Sequence, residues 1–188
     1  TRGGVSYGEA YTEAKIVVRD QNSQIYSYLG DPSICPVTPL HRVTLNIHNN
    51  SGASVDTLMA LQSITIKGTV SANGATTIDT RYGAGDKPAS VQIGVFNPTQ
   101  KTKRKDKGTL TNPDIYLPGT PLFTGQVDVK NGVFEQTVHV PRNVTFNKAG
   151  AKIIAFSWQA FDNGLGYKDI IFHGTDTSAV MDTLGPTI

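Results

Sequence analysis

Val127-Asp128-Val129-Lys130-Asn131-Gly132-Val133-Phe134-Glu135-Gln136-Thr137-Val138-His139-Val140 decides the fold class. Val127 and Val129 alternate with polar residues before the Asn-Gly pair, and Phe134, Val138 and Val140 continue the apolar set after it. Alternation of this kind lines one face of a strand. Asn-Gly between two such runs is the strongest short-range hairpin signal, because both residues tolerate the positive φ of a type I′ turn. The stretch therefore predicts two antiparallel strands joined by a two-residue turn.

Working outward, the same period recurs. Val43, Leu45 and Ile47 alternate, as do Ile64, Ile66, Gly68 and Val70, and then Val91, Ile93 and Val95. Ile154, Phe156, Trp158 and Ala160 form a sixth run, and Ile170 to His173 a seventh. Phe156 and Trp158 are assigned to opposite faces of their strand, one to the core and one free to cover a neighbouring domain. About seven short strands separated by turn signals predict a mainly-β fold, an immunoglobulin-like antiparallel sandwich. Asp162-Asn163-Gly164-Leu165-Gly166 reads as a hairpin turn; it holds oxygen ligands but lacks calcium-loop spacing. Asn50 to Met59 reads as a connection. Thr99 to Pro121 holds the basic run Lys101-Thr102-Lys103-Arg104-Lys105-Asp106-Lys107 followed by three prolines, and reads as one long mobile loop.

The first thirty residues differ. Ser6 and Glu9 form a capping box, Val5 and Ala10 a hydrophobic staple, and a helix follows to about Val18 with Ala10, Ala14, Val17 and Val18 on one face. That face is too small to fold alone, so it is expected to dock on something. A short strand is expected over Gln24 to Leu29, stopped by Asp31-Pro32. Tyr28-Leu29-Gly30-Asp31-Pro32-Ser33 then divides helix from strands. The expected organisation is a remnant of one domain over 1–36, a β-domain over 37–176, and a linker with the start of a further domain over 177–188. The chain thus reads as a piece of a larger protein.

Composition agrees with a β-domain. Of 188 residues, 38% are hydrophobic and only 17% charged, with 19 glycines and 10 prolines. A chain this long buries roughly 70% of its unfolded surface, enough for a true core. The formal net charge of +2 is too small to argue for nucleic acid or an anionic membrane. No apolar run approaches the ~20 residues of a membrane-spanning helix.

Catalytic chemistry finds little support. Cys35 is the single cysteine, so there is no internal disulfide and no cysteine-rich metal site. It lies in Ser33-Ile34-Cys35-Pro36 without a glycine-rich oxyanion loop and reads as a structural thiol. His41, His48, His139 and His173 lack metal-ligand spacing and read as solvent-facing strand residues. No catalytic, cofactor-binding or metal residue is assigned. The basic run from Lys101 to Lys107 is either a solvated loop or a patch for an anionic partner such as lipopolysaccharide. It lacks the interleaved aromatics that stack bases. Asn143-Val144-Thr145 matches an N-glycosylation acceptor pattern.

Several segments carry a family resemblance. Gly8-Glu9 with Ala14-Lys15, followed by Tyr28-Leu29-Gly30-Asp31-Pro32, resembles the end of the catalytic domain of gingipain-type (C25) cysteine peptidases. Asp56-Thr57-Leu58, Ile64-Thr65-Ile66-Lys67-Gly68, the stretch from Leu122 to Phe134, Val138-His139-Val140-Pro141 and His173-Gly174-Thr175-Asp176 resemble the domain that follows it in the type IX secretion sortases, the PorU-type C-terminal signal peptidases. Asp182 to Ile188 looks like the first strand of another domain. The resemblance implies a caspase-like catalytic domain with a His–Cys dyad upstream and an immunoglobulin-like domain after it. The dyad motifs have no matching positions here, and Cys35 does not fit the nucleophile's context, so no catalytic role carries over. The resemblance also implies a parent on the outer surface of a Bacteroidetes-type bacterium. That parent would act with secretion-system outer-membrane proteins, remove C-terminal signal domains from secreted cargo and help attach anionic lipopolysaccharide. Thr57 and Thr183, in Asp-Thr-Leu, match an O-glycosylation pattern of such bacteria. The competing reading is a stand-alone adhesin or carbohydrate-binding sandwich. A lone amphipathic helix before Gly30 speaks against it; a concave face with several exposed aromatics would speak for it.

Overall fold

The computed structural model describes residues 5–18, 30–31, 33, 39–103, 114–117, 119–146, 150–160 and 162–178. The chain divides into two units, Thr1–Thr38 and Pro39–Ile188. The expected strand over Gln24 to Leu29, Cys35, Arg104 to Lys107, Thr183 and the segment from Asp182 lie outside the described residues.

In the first unit the helix α1 spans Tyr7–Val18. Its capping box is formed: the Ser6 N–H donates to Glu9 Oε2 at 2.8 Å, and the Glu9 N–H donates to Ser6 Oγ at 3.2 Å. Two orphan donors of the first turn are thereby satisfied. The Ser6 bonds hold the Glu9 carboxyl below its ordinary value. Ala10, Ala14 and Val17, read as a docking face, are exposed, as is Val5 of the expected staple.

The second unit is mainly β. Its strands are β1 (His41–Asn49), β2 (Thr57–Ala60), β3 (Ser63–Ala72), β4 (Ala89–Phe96), β5 (Gln100–Lys103), β6 (Asp114–Leu117), β7 (Pro121–Val129), β8 (Val133–His139), β9 (Ala151–Gln159) and β10 (Asp162–Thr175). All seven expected strands are present, but the two that flank Asn131-Gly132 do not pair as the expected hairpin: β7 pairs with β4 and β8 with β3, and only Lys130 and Val133 bridge at the turn. Hydrogen bonds order the main sheet β7-β4-β9-β10-β1-β3-β8, with β2 added to β10; β5 and β6 form a separate ladder. All main pairings are antiparallel except β1–β10 and β2–β10.

The order has a geometric consequence. β7 and β8 end the path on opposite sides, yet only Lys130, Asn131 and Gly132 separate them in sequence. The sheet must therefore curl until its two ends meet at that turn, where Lys130 and Val133 pair. Inside the curl lies a single core. It takes Val43, Leu45 and Ile47 from β1, Ile64, Ile66 and Val70 from β3, Val91, Ile93 and Val95 from β4, Phe134 and Val138 from β8, Ala151, Ile153 and Ala155 from β9, and Ile170 and Phe172 from β10. The expected antiparallel alternation is what buries them, with polar residues outward except on β9 and β10, whose outer faces are also apolar.

One joint holds the curl together. β1 and β10 pair in parallel over only two residue pairs, His41↔Gly164 and Arg42↔Leu165. A Cβ at Gly166 would overlap the Val43 carbonyl, and one at Gly164 would stand 2.6 Å from Ser157 Oγ and 3.1 Å from His41 Cβ. These glycines admit a neighbouring backbone.

Asp162 to Gly166 was expected to be a turn, and here the structure corrects the sequence reading. Gln159 already pairs with Asp162, so the chain reverses at Ala160 (φ 48°) and the glycines lie inside β10. Asn50 to Met59 is not wholly a connection, since β2 begins at Thr57 and pairs in parallel with β10. The expected long loop is a hairpin at its base, with Gln100↔Leu117, Lys101↔Tyr116, Thr102↔Ile115 and Lys103↔Asp114 paired.

The β7–β8 turn is braced from outside the sheet. Asn131 and Gly132 have φ of 52° and 75°, as the type I′ signal requires. The Gly132 N–H donates to the Tyr82 carbonyl at 2.6 Å, and its carbonyl accepts from the Val70 N–H at 2.8 Å. A Cβ on Gly132 would meet the Asp79 carbonyl oxygen at 2.5 Å and Ile78 Cγ2 at 2.7 Å, whereas one on Gly74, also at positive φ, meets open space. Gly132→Ala should therefore cost about 1–3 kcal/mol of unfolding free energy, and Gly74→Ala clearly less, since only the former adds a collision to the backbone strain. Urea denaturation of the two variants checks this; equal losses would show that the brace against Asp79 contributes nothing.

Candidate functional site

Three features of the second unit bear on chemistry, and the histidines are the first. His139 and His173 are exposed and His48 is half-buried, bonded through Nδ1 to the Gly52 carbonyl at 3.0 Å. His41 departs from the solvent-facing expectation. Its side chain is 10% exposed, because β1 enters the joint at that residue. Nε2 stands 3.4 Å from Asp79 Oδ2, and the ring packs against Tyr82 with centroids 4.7 Å apart. Tyr82 in turn donates its hydroxyl to Ser157 Oγ at 3.3 Å.

A serine, a histidine and an aspartate thus stand in one cluster, but it is not a nucleophile site. Ser157 is 0% exposed, its oxygen already accepts from Tyr82, and no substrate carbonyl can reach it. The cluster's role is structural: Asp79 and Tyr82, from the segment between β3 and β4, tie β1 to β9. Burial acts to raise the Asp79 carboxyl, but bonds from the Arg81 N–H and side chain, with His41 and the Arg81 charge, hold it below its ordinary value. Burial pushes the Tyr82 hydroxyl up; the bond to Ser157 opposes this and the Asp162 charge adds to it.

A second feature is a cleft of about 820 Å³, lined by Asp56, Thr57, Lys101, Tyr116, Lys152 and Asp169 among others. Its charges are largely engaged: Lys152 stands 3.8 Å from Asp169, and Lys168 reaches Asp56 at 2.7 Å. Among the described residues no histidine or cysteine lines it. Among the described residues no three His, Cys, Asp or Glu side chains are grouped to hold a metal ion. Thr57, in the Asp-Thr-Leu match, is exposed on β2. In the N-glycosylation match, Asn143 is exposed while the Thr145 N–H donates to Asn97 Oδ1 at 2.9 Å.

The third feature is the outer face of β9 and β10. Phe156 and Trp158 are two residues apart, so they share a face rather than opposing each other. Their rings lie 6.0 Å apart at 25°, on the outside of the sheet. The opposite phase, Ala151, Ile153, Ala155 and Ser157, is the buried one. β9 is apolar in both phases, so its sequence does not reveal which side meets the core. Register places Leu165 beside Phe156 and Tyr167 beside Ile154. Ile154, Phe156, Leu165 and Tyr167 are 37%, 41%, 45% and 66% exposed. Lys152 stands over the Tyr167 ring at 5.2 Å. The spacing of Phe156 from Trp158 and of Leu165 from Tyr167 was the signal available in the sequence.

The second unit is thus a mainly-β domain, a curled and largely antiparallel sheet closed on one core, with an external aromatic face. No protein-family model and no curated protein sequence matches the chain. Among solved structures it is similar to dimeric latent PorU from Porphyromonas gingivalis, with a TM-score of 0.62 and 22% identity over 82% of this chain. The match covers 14% of that PorU chain, so this chain spans a small part of its length. The likeness is one of fold: this chain has a PorU-related fold. Spo0M, a sporulation control protein from Bacillus subtilis, aligns at TM-score 0.41 and 10% identity over 72% of this chain and 50% of its own. No helix among the described residues is long and apolar enough to cross a membrane.

The Tyr82 cluster sets a pH dependence. A hydroxyl whose folded value is raised contributes a constant stability below the unfolded value, near 10, and loses it as pH climbs towards the folded value. The stability difference between the protein and a Tyr82→Phe variant should therefore be flat up to about pH 10 and shift against the tyrosine above it. Urea denaturation across that range measures it, and a difference independent of pH to the alkaline limit would contradict the burial of Tyr82.

Proposed function

We infer that this chain is a non-catalytic region of a cell-surface cysteine peptidase of the gingipain-type (C25) family, related to the type IX secretion sortases. The observation that carries the reading is the fold shared with PorU, over 82% of this chain. The sequence motifs from Asp56 to Gly68, from Leu122 to Phe134 and from Val138 to Pro141 support it independently, because they fall on β2, β3, β7 and β8 of that fold.

On this reading residues 1–36 are the end of a caspase-like catalytic domain, 37–176 an immunoglobulin-like domain, and 177–188 the approach to a further domain. The two runs β7-β4-β9-β10 and β1-β3-β8, facing each other across one core, serve as the layers of that immunoglobulin-like domain. The parent works on the extracellular face of the outer membrane, beside secretion-system outer-membrane proteins, and removes C-terminal signal domains from secreted cargo. The domain's part is to hold the catalytic domain and cargo in register; the nucleophile and base come from the parent. The basic run from Lys101 to Lys107 would meet anionic lipopolysaccharide by long-range attraction, which falls off within ~8 Å at physiological salt.

The test is an in-frame deletion of residues 39–178 from the parent gene in its host. Secreted cargo should then keep its C-terminal signal domain, seen as a larger species by mass spectrometry of the cell-surface fraction. Normally processed cargo in that strain would overturn the reading.

A further inference from the structure

We propose that the outer face of β4, β9 and β10 is a binding site for a neutral oligosaccharide. The inference does not rest on the peptidase reading, since it uses only the composition and register of this face.

Register arranges the face in rows. One runs Gln126, Gln92, Phe156, Leu165 from β7 to β10, and the next Thr124, Gly94, Ile154, Tyr167. Trp158 continues the aromatic line along β9, beside Ser90. The apolar side chains thus do not form an unbroken patch: Phe156 adjoins the exposed amide of Gln92, and Gln126 stands one strand beyond it in the same row. A protein-docking surface places its aromatics in a dry apolar centre with polar groups confined to the rim. Here amides lie in the same row as the ring.

That mixture matches a sugar. The face of an aromatic ring is the negative pole of its quadrupole and accepts the polarised C–H groups of one side of a pyranose. A glutamine amide presents two donors and an acceptor from one planar group, which suits neighbouring hydroxyls that both donate and accept. The near-parallel Phe156 and Trp158, with Tyr167 across the strand pair, offer successive stacking positions. Lys152 over the ring steadies Tyr167.

Charge selects against an anionic ligand. The two central rows carry no charged side chain on β7, β4, β9 or β10. Arg42 closes one row where β1 joins, and Lys152 pairs with Asp169 beyond the other. The charges around the rows thus have both signs, with the Lys152 ammonium over Tyr167 paired to Asp169, so the field favours no single ionic sign.

The chain contains one tryptophan, and it lies in this face, so its fluorescence reports occupancy directly. The experiment titrates the full 188-residue chain with soluble hexasaccharides of β-1,4-glucose, α-1,4-glucose, β-1,4-xylose, β-1,4-mannose and β-1,4-N-acetylglucosamine. At least one should change the Trp158 emission saturably at micromolar to millimolar concentration. Phe156→Ala and Tyr167→Ala should each weaken that sugar about tenfold, the loss of one stacking contact, with an unaltered melting temperature. Gln92→Ala should weaken it several-fold. No response to any of the sugars overturns the proposal, as does binding that survives both aromatic substitutions. A Trp158 shift that depends on protein concentration alone, without sugar, also overturns it and assigns the face to a second copy of the chain.

Discussion

Everything in the β-unit depends on how closely β1 can lie against β10. The chain has two strand runs, β7-β4-β9-β10 and β1-β3-β8, each with an apolar inner face. They become one curled sheet because β1 meets β10 over two residue pairs. That approach needs glycine at 164 and 166, where any side chain would displace His41, Ser157 or the Val43 carbonyl. Without the joint, the two apolar faces would have only the β7–β8 turn and the segment that braces it to bring them together. Core burial is the dominant favourable term in folding, so a two-pair backbone contact controls far more free energy than its own hydrogen bonds supply.

The second closure is polar. The segment from Ile78 to Gly83 bonds to β3 through Val70, to the β7–β8 turn through Gly132, and to β9 through Ser157 and Gln159. His41, the residue at the joint, packs on Tyr82 and faces Asp79 of the same segment. The brace and the joint therefore share one side chain. A buried network of this kind rigidifies when satisfied and is costly when broken. It also accounts for the gathering of serine, histidine and aspartate at one place: they hold the curl shut.

Much of the fold was legible in the sequence, for a definite reason. Most of the seven expected strands are half-buried, so their inner and outer residues differ in kind, and Asn131-Gly132 marks a tight turn. β2, β5 and β6 are four residues each, too short to show a period, and β2 owes its existence to β10, more than a hundred residues away. Gly164 and Gly166 misled because glycine is equally at home in a turn and under a neighbouring backbone; only the position of β1 separates the two. The external aromatic face was half legible. Arithmetic places Phe156 and Trp158 together, but β9 is apolar on both faces, and only the fold shows that Ala151, Ile153 and Ala155 point inward. His41 looked like any polar residue at the start of a strand, since its partners Asp79 and Tyr82 lie about forty residues on.

The joint is the critical contact, and two glycines separate its effect from a general intolerance of strand substitution. Gly166 and Gly94 both lie within strands of the main sheet and both are buried. A Cβ at Gly166 overlaps the Val43 backbone, whereas the atoms nearest one at Gly94 belong to the Phe96 ring, a side chain that can swing aside. The direct measurement is the unfolding free energy of Gly166→Ala and Gly94→Ala by urea denaturation. The account predicts a loss of about 2 kcal/mol or more for Gly166→Ala, where backbone must move, and less than ~1 kcal/mol for Gly94→Ala. Losses that are small and equal at the two positions would contradict it.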